Sequence, residues 1–187
     1  MRVHISKISS TCFFHLRRLR KLRPLIDTAS AQRLASAFIL SRVGYCNAVL
    51  AGLSASTLAP LQRVLNAAAR FVADATSRTH VSGIINSLHC LPIAYRIRFK
   101  LNVLMHGVHN GTSHLYLTDT TTPISSLPGH RQLCSAMMTQ YDIPRTRTFG
   151  DRAFSVAGPR EWNALPAYIR NITYLSSFKR AIKTHFF

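Results

Sequence analysis

The chain has 187 residues, with 24 Lys plus Arg against 6 Asp plus Glu, a formal charge of +18 and 47% hydrophobic residues. That apolar share excludes a disordered basic tail, and the length suits one domain or two small ones. The charge points to polyanionic partners, nucleic acid ahead of anionic membrane.

In chain order, the first predicted helix covers residues 8–23, with Ile8, Cys12, Leu16 and Leu19 on one side and Pro24 as its stop. Asp27 or Thr28 starts a second helix to about Val43, with Leu34, Phe38 and Ser41 along one side. A third begins near Ser56 or Thr57, and its stripe Leu58, Leu61, Leu65, Ala68 and Val72 has a period near 3.6. After a break at 77–79, residues 80–88 read as a short helix. Pro92 then opens a long one to about His109, with Ile93, Ile97, Leu101, Leu104 and Val108 on one side, widened by Phe99 and Val103. Residues 110–148 are rich in Ser, Thr, Pro and Gly, including Pro123, Pro128 and Gly129, and read as a loop, a hinge or disordered link.

The last segment, 149–187, reads as a short helical hook followed by an amphipathic helix. Asp151 is placed to cap the first turn, Phe154 and Ala157 give it an apolar face, and Pro159 suits the first position of the next turn. Trp162 and Leu165 supply bulk and Pro166 ends the hook. In the terminal helix Leu175, Phe178, Ile182 and Phe186 form one stripe, with Lys179, Arg180 and Lys183 facing away. The expected fold is therefore an all-α irregular bundle of about six to eight helices, divided as 1–110, a loop at 111–148 and the hook at 149–187.

The cysteines Cys12, Cys46, Cys90 and Cys134 are scattered without a Cys-x-x-Cys pair, so no disulfide framework is expected and a reducing interior is the default. Residues 1–26 carry seven Lys or Arg and no acid before Asp27, which is also the composition of an organelle transit peptide, with a mitochondrial setting as the minority alternative. Residues 43–62 run without charge, long enough to span a bilayer, but Gly44, Asn47, Gly52, Ser54 and Pro60 make them a helix end, a turn and a helix start. No membrane span is expected.

Catalytic groups are sparse. Two-metal nucleotidyl transfer needs converging carboxylates on ions ~3.5–4 Å apart, whereas Asp27, Asp74, Asp119, Asp142, Asp151 and Glu161 are scattered with no adjacent pair. Asp27 and Asp151 read as helix caps. His106, His109 and His114 form the nearest metal-like cluster, and His89-Cys90 stands alone. His106 and His109 at a helix end entering a loop read as solvated side chains, so no metal or other cofactor is expected. Nucleophile motifs and phosphate-cradling glycine loops are missing.

Nucleic acid is expected first on Arg17, Arg18, Arg20, Lys21 and Arg23 at the end of the first helix. A second surface is the polar face of the third helix, where Arg63, Asn66 and Arg70 fall at i, i+3 and i+7 beside Gln62. Arg145 and Arg147, beside Pro144, form a third patch. Guanidinium forks and amides there would hold phosphates and sugars without reading sequence.

Several motifs are similar to one family in the right order. They run from Cys12-Phe13-Phe14-His15-Leu16-Arg17 through Ser41-Arg42, Tyr45-Cys46-Asn47 and Leu50-Ala51-Gly52-Leu53. Leu61-Gln62-Arg63-Val64, Asn66-Ala67-Ala68-Ala69-Arg70, Leu88-His89, Leu91-Pro92, Arg96-Ile97 and Phe99-Lys100 follow, and the tail FGDRAFSVAGPREWNALPAYIRNITYLSSFKRAIKTHFF completes the set. Together they resemble the carboxyl-terminal region of the reverse-transcriptase polyproteins of LINE-type (non-LTR) retrotransposons, jockey-like and chicken-repeat-like. The chain departs from that pattern at Gly44, where the family usually has Asp, at Cys90, where it usually has Trp, and at Ser54, in place of a common Pro.

The resemblance implies a chain beginning just beyond the palm, holding the helical thumb and carboxyl-terminal extension of an RNA-directed DNA polymerase. It implies an RNA–DNA hybrid as partner, no catalysis by this part, and an intracellular setting in nucleus or cytoplasm. From the residues alone two other readings stay open: an organellar or ribosomal RNA-associated structural protein, and a membrane-surface binder using the terminal helix.

Overall fold

The computed structural model describes residues 1–76, 78–127, 139–147 and 150–187. These residues are predominantly helical, an irregular all-α bundle, and the bridge between Pro123 and Tyr141 is their only β pairing. Ser77, Pro128, Gly129, Cys134 and Phe149, each used in the sequence reading, lie outside the described residues. The chain forms two compact units, Met1–Asn47 with Leu53–Arg96 and Ala48–Gly52 with Ile97–Phe187. The change of unit thus falls inside a helix, Ile93–His109, whose end is where the sequence placed the close of its first region.

In the first unit, α1 spans Arg2–Leu22 and starts a turn and a half before the expected position. Its buried face is Ile5, Ser9, Cys12, Leu16 and Leu19, spaced four and three residues apart. Ser9 interrupts the apolar pattern, which is why the first turns were not legible. A 3-10 turn at Arg23–Leu25, with Pro24 inside it, ends the helix.

The second element is α2 (Thr28–Ala35), a π segment at Ser36–Leu40 and α3 (Ser41–Gly44). Asp27 caps it as expected: its Oδ1 accepts from the Ser30 amide at 3.1 Å, and the Ser30 hydrogen bonds hold its carboxyl below the ordinary 3.8. The expected stripe is corrected. Phe38 and Ser41 are exposed and Leu34 half-buried, while Ala31, Ala35, Ile39 and Val43 face inward. A spacing of four residues overruns the 3.6-residue turn, and the wide π turn absorbs the excess.

Helix α4 (Ala55–Val72) follows, with Ser54 Oγ accepting from the Thr57 amide at 3.4 Å. Leu61, Leu65, Ala68 and Val72 are buried as expected, with Leu58 half-buried, and Val64 and Phe71 join the buried face. Helices α1 and α4 run in the same direction: Arg2–Phe13 face Ser56–Arg63, and Arg23 reaches the last carbonyls of α4. After α4, the Ala75 amide bonds the Arg70 carbonyl and the Asp74 amide that of Phe71, with Asp74 at φ 51°. Helix α5 (Val81–Ser87) ends the same way through His89 (φ 48°) and Cys90. An apolar pocket of about 210 Å³ adjoins Cys90, lined by Ala35, Leu65, Ala68 and Val72 among others.

Helix α6 (Ile93–His109) opens in the first unit and continues in the second. There Ile97, Leu101, Met105 and Val108 are buried, with Leu104, Phe99 and Val103 only half-buried. The second unit adds α7 (Leu115–Thr118), α8 (Phe154–Asn163), α9 (Ala167–Arg170) and α10 (Leu175–Phe186). A Cβ on Gly158 would meet Met105 Sδ at 2.9 Å, so this glycine sets how closely α8 approaches α6. Two readings of the hook are corrected. Asp151 sits in a 3-10 turn, accepting from Thr146 Oγ1 at 2.9 Å and lying 3.5 Å from Arg160, so it caps no helix. Pro159 lies buried in the interior of α8, which already begins at Phe154. In α10 Phe178, Ile182 and Phe186 are buried, but Leu175 is exposed because it opens the first turn.

Trp162 is fully buried, and its Nε1 donates to the Thr139 carbonyl at 2.7 Å. Asn163 both accepts from the Tyr141 amide (3.0 Å) and donates to its carbonyl (2.7 Å). These bonds, with Asp142 N to Thr122 O at 2.8 Å, tie the described parts of 111–147 to α8 instead of leaving a free link. His106 is corrected from solvated to buried, at 2% exposure: its ring lies 4.3 Å from that of Phe178 and its Nε2 donates to the Ile172 carbonyl at 2.8 Å.

His109 is half-buried against Trp162 and Tyr141, with ring centroids 5.3 and 6.1 Å away. Burial, and then the charges of His106 and Arg170, hold its pKa below the ordinary 6.5. The unfolded chain therefore takes up this proton first on acidification, so stability present at pH 7 is lost as pH falls through and below 6.5. Thermal melts at pH 7 and pH 5 should show a smaller difference for His109→Gln than for the parent; an equal difference would acquit His109.

Candidate nucleic-acid interface

The candidate interface centres on α1. Its buried stripe leaves the rest of the helix surface to solvent, and Arg17, Arg18, Arg20 and Lys21 all lie there exposed. The Arg18 guanidinium sits 5.6 Å over the half-exposed Phe14 ring. Neither of the ion pairs found among the described residues, Arg98–Glu161 and Arg160–Asp151, involves this cluster.

Arg23 does not belong with its neighbours in sequence. Its Nε donates to Phe71 O at 2.9 Å, Nη2 to Val72 O at 3.2 Å and Nη1 to Ile26 O at 2.9 Å. The guanidinium thus closes the carbonyl end of α4, where the helix dipole favours a cation.

The polar face of α4 is also largely occupied. Gln62 Oε1 accepts from the Ile93 amide at 2.9 Å, capping the start of α6, while its Nε2 donates to Asn66 Oδ1 at 2.8 Å. Arg70 donates twice to the Thr79 carbonyl, each at 3.2 Å, and so pins the loop after α4. Only Arg63 of this set is exposed. It borders an open groove of about 560 Å³ whose other wall is the first half of α1, including Arg2.

Sequence reading missed Arg2 and the hydroxyls beside it. The signal was the stripe Ser6, Ser10, Phe13, Arg17 and Arg20, at i, i+4, i+7, i+11 and i+14. Arg145 and Arg147 are exposed on a segment of the second unit outside any helix or strand.

Among the described residues no group of three or more His, Cys, Asp or Glu could hold a metal ion, and no helix is long and apolar enough to cross a membrane. Cys12 is buried, which pushes its thiol pKa up, Cys90 is half-buried and Cys46 exposed, and all three are free. No protein family matches the chain, and comparison with curated proteins and with solved structures finds no match.

Proposed function

We propose that this chain binds nucleic acid through its backbone, without reading sequence and without catalysis, as the thumb and carboxyl-terminal region of a retrotransposon reverse transcriptase of the LINE type would. The observation that carries the reading is the exposed cluster of Arg17, Arg18, Arg20 and Lys21 on one end of α1, with no acid among those side chains. Cations on a rigid helix hold phosphates at fixed spacing, which suits a surface that must accept any primer–template. The family resemblance supplies the name of the parent enzyme, and the scattered carboxylates agree with a part that leaves chemistry to another domain. The setting in nucleus or cytoplasm belongs to the same proposal.

Replacing Arg17, Arg18, Arg20 and Lys21 together with Ala should reduce the slope of log K against log salt by about 0.9 for each phosphate of duplex DNA that these cations neutralise, some 3 to 4 in sum. Arg23→Ala should leave the slope unchanged while lowering stability, since it frees carbonyls of α4. Fluorescence-anisotropy titrations over a salt series read the slopes. An unaltered slope in the quadruple variant removes α1 from the interface.

A further inference from the structure

We infer that the groove between α1 and α4 is a phosphate-binding site, taking a backbone phosphodiester of the same nucleic acid; the inference rests on the nucleic-acid reading above. Three features converge there. Arg2 and Arg63 stand exposed on its two walls, and no carboxylate lines it. Hydroxyls of Ser6 and Ser10 supply neutral donors between them, while those of Ser56 and Thr57 lie 3.0 and 2.9 Å from Ser54 Oγ. The start of α4 forms one end, with no acid in its first turn, so its dipole adds to the positive field although Ser54 already accepts from the Thr57 and Leu58 amides.

A further observation singles out this place. Ser9, in the floor of the groove, is 6% exposed, and its hydroxyl makes no hydrogen bond within the described chain. A serine inside a helix ordinarily satisfies itself on the carbonyl one turn back, as Thr11 does on Lys7 at 3.0 Å. An orphan hydroxyl in a groove that Arg2 and Arg63 also line has a use when an anionic oxygen is seated there.

The groove also continues the basic cluster. Ser6, Ser10, Phe13, Arg17 and Arg20 share one flank of α1 over a rise of about 21 Å, long enough for a strand to run from the groove onto the cations.

The test uses the full chain and duplex DNA over a salt series, with vesicles of anionic lipid as a parallel probe. Arg2→Ala with Arg63→Ala should reduce the salt slope by about 2. Ser9→Ala should weaken binding several-fold without lowering the melting temperature, an outcome a merely structural serine would not give. If the slope falls in the α1 quadruple variant but not in the double variant, the groove is excluded and the nucleic-acid reading stands. Loss confined to vesicle binding also excludes it. If the parent chain fails to retain duplex at low salt, the nucleic-acid reading falls and the groove with it.

Discussion

Trp162→Ala is expected to destabilise the second unit by about 3–5 kcal/mol, the largest loss from any one side chain. Trp162 is completely buried, its ring lies 5.3 Å from that of His109 and 5.8 Å from that of Phe178, and its indole N–H satisfies the Thr139 carbonyl. Truncation leaves a cavity in a packed site and takes the partner from a polar group, and these costs add. Trp162→Phe keeps most of the ring and should cost only the hydrogen bond and some packing, about 1–2 kcal/mol. Urea unfolding followed by circular dichroism measures both. A loss below about 1 kcal/mol in the alanine variant would show that the hook packs around something else. As the chain's only tryptophan, Trp162 also lets fluorescence in the parent report on this unit alone.

The second large effect has the opposite sign. Arg170→Met should stabilise the fold by about 1–4 kcal/mol. Arg170 is 5% exposed, and its Nε and Nη1 make no hydrogen bond among the described residues. Burial pushes its pKa down, the mark of a charge stripped of water without full repayment by a partner. Methionine keeps the long flexible stem and removes the charge. The denaturation midpoint should rise with the urea dependence unchanged, and a lower midpoint would disprove the account. Because the charge of Arg170 also presses on His109, the same variant should soften the loss of stability on acidification.

Helices α4 and α10 were legible because each carries its apolar residues at one period and its charges elsewhere. The Asp27 cap was legible because its signal is local. What the sequence withheld is non-local. Nothing near His106 announces Phe178 or the Ile172 carbonyl, so a histidine at a helix end looked solvated. Arg23 sits in a run of cations, and only the arrival of α4 separates it from them. Gln62 and Arg70 read as ligands for a polymer because their partners, Ile93 and Thr79, lie a helix or a loop away. Pro159 misled for another reason: proline is usual at a helix start, and α8 tolerates it in the interior. Arg17, Arg18, Arg20, Lys21 and Arg63 are the cations of the expected surfaces on α1 and α4 that stay exposed and make no hydrogen bond to another element among the described residues.

The second unit is discontinuous along the chain, since it takes in Ala48–Gly52 as well as everything from Ile97 onward. Leu50 and Ala51 of that short piece are buried, and Gly52 holds a left-handed conformation with Arg152 Cγ only 3.3 Å from where a Cβ would stand. A fragment cloned from residue 97 would therefore lack one of its own packed stretches of backbone, and one ending at residue 96 would carry an orphaned apolar excursion. Dissecting this protein calls for a graft of residues 48–52, because no single cut yields either half intact.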